Sequence, residues 1–484
     1  MTKAATVCIC CLSMFMIAVD TTVVSLALPL IGRGLHAPVS GLQWVLAAYS
    51  IATASLMLTS GSIGDRFGRR TVFQAGLAVF VLASAACSMA PNAGWLIACR
   101  ALQGAGGSTL TPMSMGIITA TFTEPAARAR AIGLWSGTFG AGMAAGPALG
   151  GVLAAAWGWR SLFWITILPG LVAMVAAGLV IPCSRAARAR RLDLPGQALV
   201  IAFLACLTYG IIEGPSQGWR SAPIFAAFVA SATALVLFVA WERRRDDPLI
   251  DLRLFRSVPF SAALVITVFS FVCLGGFLFL TTLYLQDVRG LNVLRAGLAL
   301  IPLAAATAVA GPLAGRVMGH AGGRGLLIVA GVLLADGCVM LARAPVMASW
   351  AFLAAAYVIF GAGYGAVNTV ISAVAVAGMP RAQAGVAGGV TSAGRQAGLS
   401  LGVSLAGAIL AAGLHGTLRE GFAAASHPAW LAIAACGLMV PLLGLLLRQS
   451  SRTADHRPPS APKPAPRHMA CRSRKMSAGP VKLE

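Results

Sequence analysis

The chain has 484 residues, of which 58% are hydrophobic and only 10% are Asp, Glu, Lys or Arg. Soluble domains carry about 25% charged residues, so the composition excludes an ordinary water-soluble enzyme and requires an all-α integral membrane protein. Lys and Arg outnumber Asp and Glu 36 to 14, for a formal net charge of +22, and the placement of those charges decides what they serve.

A membrane span needs roughly 20 apolar residues. Charge clusters and Gly/Pro turns divide the chain into fourteen predicted spans, near 5–31, 42–63, 71–90, 95–120, 131–156, 161–182, 194–213, 222–240, 260–283, 296–317, 325–341, 350–373, 387–412 and 429–447. The first is long, holds Asp20 and lacks an A-x-A-like site, so it reads as a retained span and not as a cleaved signal peptide. A carboxylate in such a run costs about 3 kcal/mol on insertion scales. Asp20 is therefore the first candidate for function, with a structural polar contact as the alternative. Cys8, Cys10 and Cys11 share this span without a matching second pair, so they read as small hydrophobes and no metal or cofactor is expected.

The segment GSIGDRFGRR (61–70) joins spans 2 and 3. Gly61, Gly64 and Gly68 permit close approach and unusual backbone angles. Asp65 is placed to cap a helix end or to pair with a neighbouring arginine, and Arg66, Arg69 and Arg70 hold the loop on one side. A turn that serves topology alone is the simpler reading, and the glycine spacing, the acid and a faint repeat at GRVMGHAGGR (315–324) argue against it.

In span 4, Arg100 stands in IACRALQG. A guanidinium stays charged and needs a partner or a cavity, unless it reaches back to the outer interface. Gln103 is placed to support it. Span 5 carries Gly142, Gly146 and Gly150 at intervals of four, a smooth face suited to helix packing in lipid. Pro147 among them removes a backbone donor and bends the helix, and Gly151 follows. Packing alone is the alternative reading of this face.

Spans 7 and 8 lie between two six-span units and are flanked by RAARARR and ERRRDDPLIDLRLFR. They read as an inserted helix pair. The expected organisation is a six-helix bundle over 1–182, the inserted pair over 183–258, a second six-helix bundle over 259–447 and a basic, disordered tail over 448–484. Further along, Asp336 in span 11 is either a second coupling or substrate group or a carboxylate at the outer end of a short span. Glu213, closing span 7, reads as a loop-edge carboxylate.

The basic charge follows the topology. With both termini inside, arginine clusters at 66–70, 185–191, 243–245 and 253–256 fall on the inner side, against scattered arginines such as Arg33, Arg160 and Arg220 outside. That asymmetry is the positive-inside pattern of a cell-membrane protein with cytoplasmic termini, and it removes the nucleic-acid reading.

On these residues the sequence resembles the major facilitator superfamily, and within it the drug:proton antiporter family with fourteen spanning helices. GSIGDRFGRR is similar to the superfamily loop signature G-x-L-A-D-R-x-G-R-K. VDTTVVSLALP (19–29) resembles the first-span motif, RALQGAGGS (100–108) the fourth-span signature and GAGMAAGPALGG (140–151) the fifth-span antiporter signature. Two departures stand out: Ser25 replaces an Asn, and Gly319 stands where the first loop has Asp65. The resemblance implies two six-helix bundles plus an inserted pair, and proton-coupled export of small drug-like or antibiotic molecules by alternating access. It makes Asp20 and Arg100 proton-coupling residues, the 61–70 segment a gating loop, and Gln103, Arg395 and Gln396 cavity-lining groups. The expected partners are a small-molecule substrate, protons and the bilayer, with the chain acting as a monomer. A nutrient symporter on the same scaffold and a non-transporting sensor are the competing readings. An ATP-driven pump lacks support because no G-x-x-x-x-G-K-[ST] loop occurs.

This topology makes a direct prediction. A reporter active only outside the cytoplasm should stay silent when fused at Arg188, and signal there would overturn the fourteen-span arrangement.

Overall fold

In the computed structural model, residues 2–182, 192–245, 249–250, 252–321, 323–374, 381–414 and 418–446 are described. The predicted tail 448–484 and the arginines of 185–191 lie outside them. Lipid offers no water to backbone N–H and C=O groups, so each apolar run closes its own hydrogen bonds as a helix. Among the described residues there is no strand.

The first six predicted spans are α1 (Thr2–Leu35), α2 (Val39–Phe67), α3 (Arg69–Ser88), α4 (Ala93–Thr121), α5 (Pro125–Trp157) and, after a short 3-10 turn, α6 (Trp164–Val180). The inserted pair is α7 (Leu194–Gln217) and α8 (Ala222–Glu242). A 3-10 segment, Leu252–Arg256, leads into α9 (Val258–Leu283), which ends in a π turn over Tyr284–Val288. Span 10 is divided into α10 (Val293–Ala299) and α11 (Ile301–Ala321). Pro302 explains the break, since it lacks an N–H and disfavours a helical residue before it. The chain closes with α12 (Gly323–Ala342), α13 (Trp350–Val374), α14 (Arg381–Gly413) and α15 (Leu418–Leu446). Side chains set several starts: Asn92, Asp193 and Asn292 each accept a backbone N–H from the first turn that follows. Gly68 turns the chain between α2 and α3 at φ 98°, a conformation that favours glycine.

Among the described residues, thirteen stretches are long and apolar enough, by length and composition alone, to cross a membrane. Helix α4 is not among them, because it carries Arg100, Gln103 and the run GAGG. Packing holds it in place. α4 lies against α2 and α3, α1 against α5, and α3 against α6. The pattern recurs further along, with α13 against α11 and α12, α9 against α14, and α12 against α15.

Small residues make the contacts, and they recur in matching places. A Cβ on Gly106 would stand 2.6 Å from the Phe80 backbone N, and one on Gly363 would stand 2.7 Å from the Leu334 N. Gly104 faces the Tyr49 carbonyl as Gly361 faces the Leu303 carbonyl. Backbones that approach this closely gain dispersion contact where lipid supplies no hydrophobic driving force. The outward faces are apolar: Leu168, Val175 and Leu179 on α6 and Phe225 and Val236 on α8 are all exposed, as a surface in contact with acyl chains requires. α7 packs on α8, α2 and α14.

These approaches predict which glycines are dispensable. Gly106→Ala forces a methyl onto backbone and should cost about 1–3 kcal/mol, read as a lower melting temperature of the purified protein. Gly133→Ala, with nothing within 4 Å, should leave the protein as stable or slightly more so. Equal melting of the two variants would show that the α3–α4 contact is loose.

Candidate functional site

Asp20 lies near the middle of α1 and is 1% exposed. Its Oδ2 accepts a hydrogen bond from Arg100 Nη1 at 2.7 Å, and its Oδ1 accepts one from Gln103 Nε2 at 2.9 Å. Arg100 and Gln103 are three residues apart on α4, so they share a face and reach the same carboxylate. Arg100 Nη1 also donates to Gln103 Oε1 at 2.5 Å, and its Nε donates to the Val45 carbonyl at 3.3 Å. The guanidinium lies over the Tyr49 ring, 4.3 Å from its centroid. Gln103 Nε2 donates further to Ser84 Oγ at 2.8 Å, which Thr166 Oγ1 reaches at 3.1 Å. Five helices thus contribute to one buried polar cluster: α1, α2, α3, α4 and α6.

Arg100 is itself 1% exposed. It does not reach for the interface; it is an internal partner of Asp20. Tyr49, Ser84 and Thr166 were not legible as site residues. The only signal for Tyr49 was an aromatic with a polar tip inside span 2, and serines and threonines recur too often in these spans to single out two. The chemistry of the cluster follows from burial. A low-dielectric ion pair is stable while both charges stand, and neutralising one leaves the other desolvated and unpaired. Removing either charge would leave the other to find new partners, and the helices that carry the pair would have to adjust.

The glycine face of α5 packs beside this cluster, on α1. A Cβ on Gly142 would stand 2.7 Å from Ala18 Cβ and 2.9 Å from the Phe15 carbonyl, Gly146 faces Thr22, and a Cβ on Gly150 would stand 2.9 Å from Val23. Pro147 and Gly151 turn instead toward α10, where Gly297 and Leu294 meet them. At this same end Arg33 Nη2 pairs with Asp287 Oδ1 at 2.6 Å, Gln286 Nε2 donates to the Leu26 carbonyl, and Gln43 Nε2 donates to the Ser404 carbonyl at 2.8 Å. These contacts link the first six helices to the last six.

The 61–70 segment occupies the opposite end. Asp65 Oδ1 and Arg69 Nη2 form an ion pair at 3.4 Å, while Arg69 Nη1 donates to the Gly116 carbonyl at 3.0 Å. Arg70 Nη1 donates to the Gly178 and Ile181 carbonyls at 3.4 and 3.2 Å. The loop is thereby fastened to the ends of α4 and α6. A Cβ on Gly64 would overlap Met113, Gly61 has open space beside it, and Arg66 stacks over Phe67 at 5.7 Å. In the second half, Arg395 is half-buried on α14, donates to Ser372 Oγ at 2.7 Å and stands 5.7 Å from the centre of the Phe271 ring. Its neighbour Gln396 is half-buried, and Asp336 is exposed on α12. Glu213 departs from its reading as a loop-edge group: it lies within α7 and accepts the Trp44 Nε1–H at 3.0 Å, because α7 runs one turn beyond the predicted span.

The family model described as Major Facilitator Superfamily matches residues 10–403. The Multidrug resistance protein Stp of Mycobacterium tuberculosis (strain CDC 1551 / Oshkosh) is 36% identical over 408 residues, 84% of this chain and 76% of that protein. The Tetracenomycin C resistance and export protein of Streptomyces glaucescens is 35% identical over 417 residues, 85% of this chain and 77% of that protein. Among solved structures, a bacterial homolog to the human lysosomal transporter Spinster, inward-facing and unoccupied, superposes with a TM-score of 0.68. It shares 17% sequence identity and covers 92% of this chain and 96% of that one. It shares the fold.

The cluster orders its own mutations by stability. Arg100→Met leaves Asp20 as a buried unpaired charge and should cost about 3–5 kcal/mol. Gln103→Leu removes donors from Asp20 and Ser84 and should cost about 1–3 kcal/mol. Tyr49→Phe keeps the ring under Arg100 and deletes a buried hydroxyl with no close hydrogen bond among the described residues, so its melting temperature should stay near the parent's. Thermal unfolding of the purified variants checks the order, and a strongly destabilised Tyr49→Phe would contradict it.

Proposed function

The chain belongs to the Major Facilitator Superfamily, and on that premise we propose that it is a proton-coupled secondary exporter of small drug-like or antibiotic molecules. The observation that carries this reading is Asp20, a carboxylate fully buried at mid-helix and held by Arg100 and Gln103. Fixed structure alone would not retain so costly a group in lipid. The drug-resistance and export roles in the relatives' names support export over uptake, as does the α5 glycine face packed on the helix that carries Asp20.

In the proposed cycle the bundles of residues 1–182 and 259–447 rock against one another around a central site. Contacts of Arg33 with Asp287 and of Pro147 and Gly151 with α10 hold the outer end shut. Substrate enters from the cytoplasm, with Arg395 and Gln396 of α14 lining the second half of its path. Protons taken from outside neutralise Asp20 when the outer end opens, and return to the cytoplasm when Arg100 reclaims the carboxylate. The exchange couples an inward proton to an outward solute without ATP or a cofactor. Asp65 and Arg69 fasten the inner loop through a half-buried ion pair whose charge assistance sets its strength. We place the chain in the cell membrane with both termini cytoplasmic, working as a monomer, and Asp336 is the second coupling candidate.

Substitution of Asp20 separates coupling from structure. Asp20→Asn keeps shape and hydrogen-bonding capacity but cannot titrate. In proteoliposomes under an imposed pH gradient, with export normalised to folded protein, gradient-driven transport should vanish while exchange down the solute's own gradient survives. Asp20→Glu should keep part of the activity with a shifted pH dependence. Robust gradient-driven export by Asp20→Asn would remove Asp20 as the coupling group and turn attention to Asp336.

A further inference from the structure

The inserted helices carry a polar cluster that the transport cycle does not use. Asp193 caps α7: its Oδ1 accepts the Gly196 N–H at 3.1 Å and the Trp241 Nε1–H at 2.9 Å, and Arg245 Nη2 stands 3.9 Å away. Glu242 ends α8, and its Oε2 accepts the Ile250 N–H at 3.0 Å. Asp193 is 2% exposed and Glu242 3% exposed. One oxygen of each, Asp193 Oδ2 and Glu242 Oε1, is buried with no N–H or O–H of the described residues reaching it. A Cβ on Gly196 would touch both oxygens, overlapping Asp193 Oδ2 and standing 2.9 Å from Glu242 Oε1. The two orphan oxygens therefore border the same small space.

We propose that Asp193 and Glu242 share one proton, and that this pair is a second proton-binding site at the roots of the inserted helices. Two carboxylates in contact cannot both stay ionised away from water. A single proton between them makes an O–H···O⁻ bond and satisfies both orphan oxygens at once. Asp193, which has Arg245 beside it, keeps the negative charge, and Glu242 carries the proton. Burial pushes the Asp193 carboxyl up, but hydrogen bonds from Glu242, Trp241 and Gly196, with Arg245 beside them, outweigh it and hold the group below its ordinary value. Among the described residues, Arg245 is the charged group facing the pair. Arg243 and Arg244 share its segment, Arg253 follows in the 3-10 turn, and α2 presents the neutral Ser55 and Thr59 to the start of α7.

The location gives the proton a mechanical role. Near both ends α7 is bonded to α2, by Gln197 Nε2 to the Ser55 carbonyl at 3.0 Å and by Trp44 to Glu213. Beyond α8, Ile250 packs with Leu58 of α2 and Leu264 of α9 against Leu254, Phe260 and Val390. The pair thus fastens the entry to α9 onto α7, across the join between the first helices and the last. With the proton withdrawn, two like charges face each other at that fastening and loosen it.

The site can be read without transport, so its test stands or falls apart from the export proposal. A proton bound by the folded pair and not by the unfolded chain stabilises the fold at low pH, and that stabilisation is lost as pH rises. The full-length protein in nanodiscs should therefore lose a few degrees of melting temperature as the pH is raised from acid to alkaline. Glu242→Gln, whose amide donates permanently to Asp193, should flatten that dependence. It should also delete one protonated-carboxyl carbonyl band from the infrared spectrum of the parent at neutral pH. A wild-type pH slope with an unchanged band in Glu242→Gln would overturn the proposal. So would a rise in the parent's melting temperature with Mg²⁺ or Ca²⁺ at alkaline pH, which would mean that a cation occupies the pair. Should Glu242→Gln fail to accumulate, Asp193→Asn carries the same melting test: a flat profile supports the shared proton and a parental slope rejects it.

Discussion

A carboxylate and a guanidinium placed in lipid must find each other or some equivalent, and the packing of the first six helices is arranged around that requirement. Asp20 and Arg100 come from helices eighty residues apart in sequence, and neither is tolerable there alone. Their pairing fixes α4 against α1. Gln103, Ser84 and Thr166 extend the cluster to α3 and α6, and the Val45 carbonyl and the Tyr49 ring bring in α2. The helix least suited by composition to a membrane is the one these bonds hold most closely.

Such a cluster is affordable only where backbones approach closely enough to exclude competing space. Gly104 and Gly106 let α4 touch α2 and α3, and Gly142, Gly146 and Gly150 let α5 lie along α1. Each contact is weak, but together they give the polar groups fixed neighbours. Gly361 and Gly363 make the same approaches in α13, so the second half rests on the same packing with no counterpart of the Asp20–Arg100 pair among the described residues. Arg395 there has Ser372 and an aromatic ring as its described contacts in place of a carboxylate. The two halves share a frame and differ in charge.

Three acids in this chain stand in two kinds of charge environment. Asp20 is balanced by a cation, so a change in its charge frees a guanidinium. The acids at the roots of α7 and α8 are balanced chiefly by one another, so a change in their charge alters the fit of two helices. The first arrangement suits coupling and the second suits adjustment of a joint.

Sequence alone determined the class, the apolar runs that form the spans and the placing of Asp20 and Arg100 inside two of them. Those properties are local: a run of apolar residues needs no partner to declare itself a span, and a charge inside one is conspicuous because of its cost. The four signatures in 19–29, 61–70, 100–108 and 140–151 were legible for the same reason, since each is contiguous. The tertiary structure decided what these residues touch. It turned Arg100 inward to Asp20, set Tyr49 beneath it, joined Ser84 and Thr166 to Gln103, and moved Glu213 from a loop edge to a bond with Trp44. It also brought Asp193 and Glu242 together, two acids that flank different spans and look like ordinary helix-end residues in the chain. Long-range pairing of polar groups depends on which helix faces meet, and a helix's own periodicity does not record the face of its neighbour.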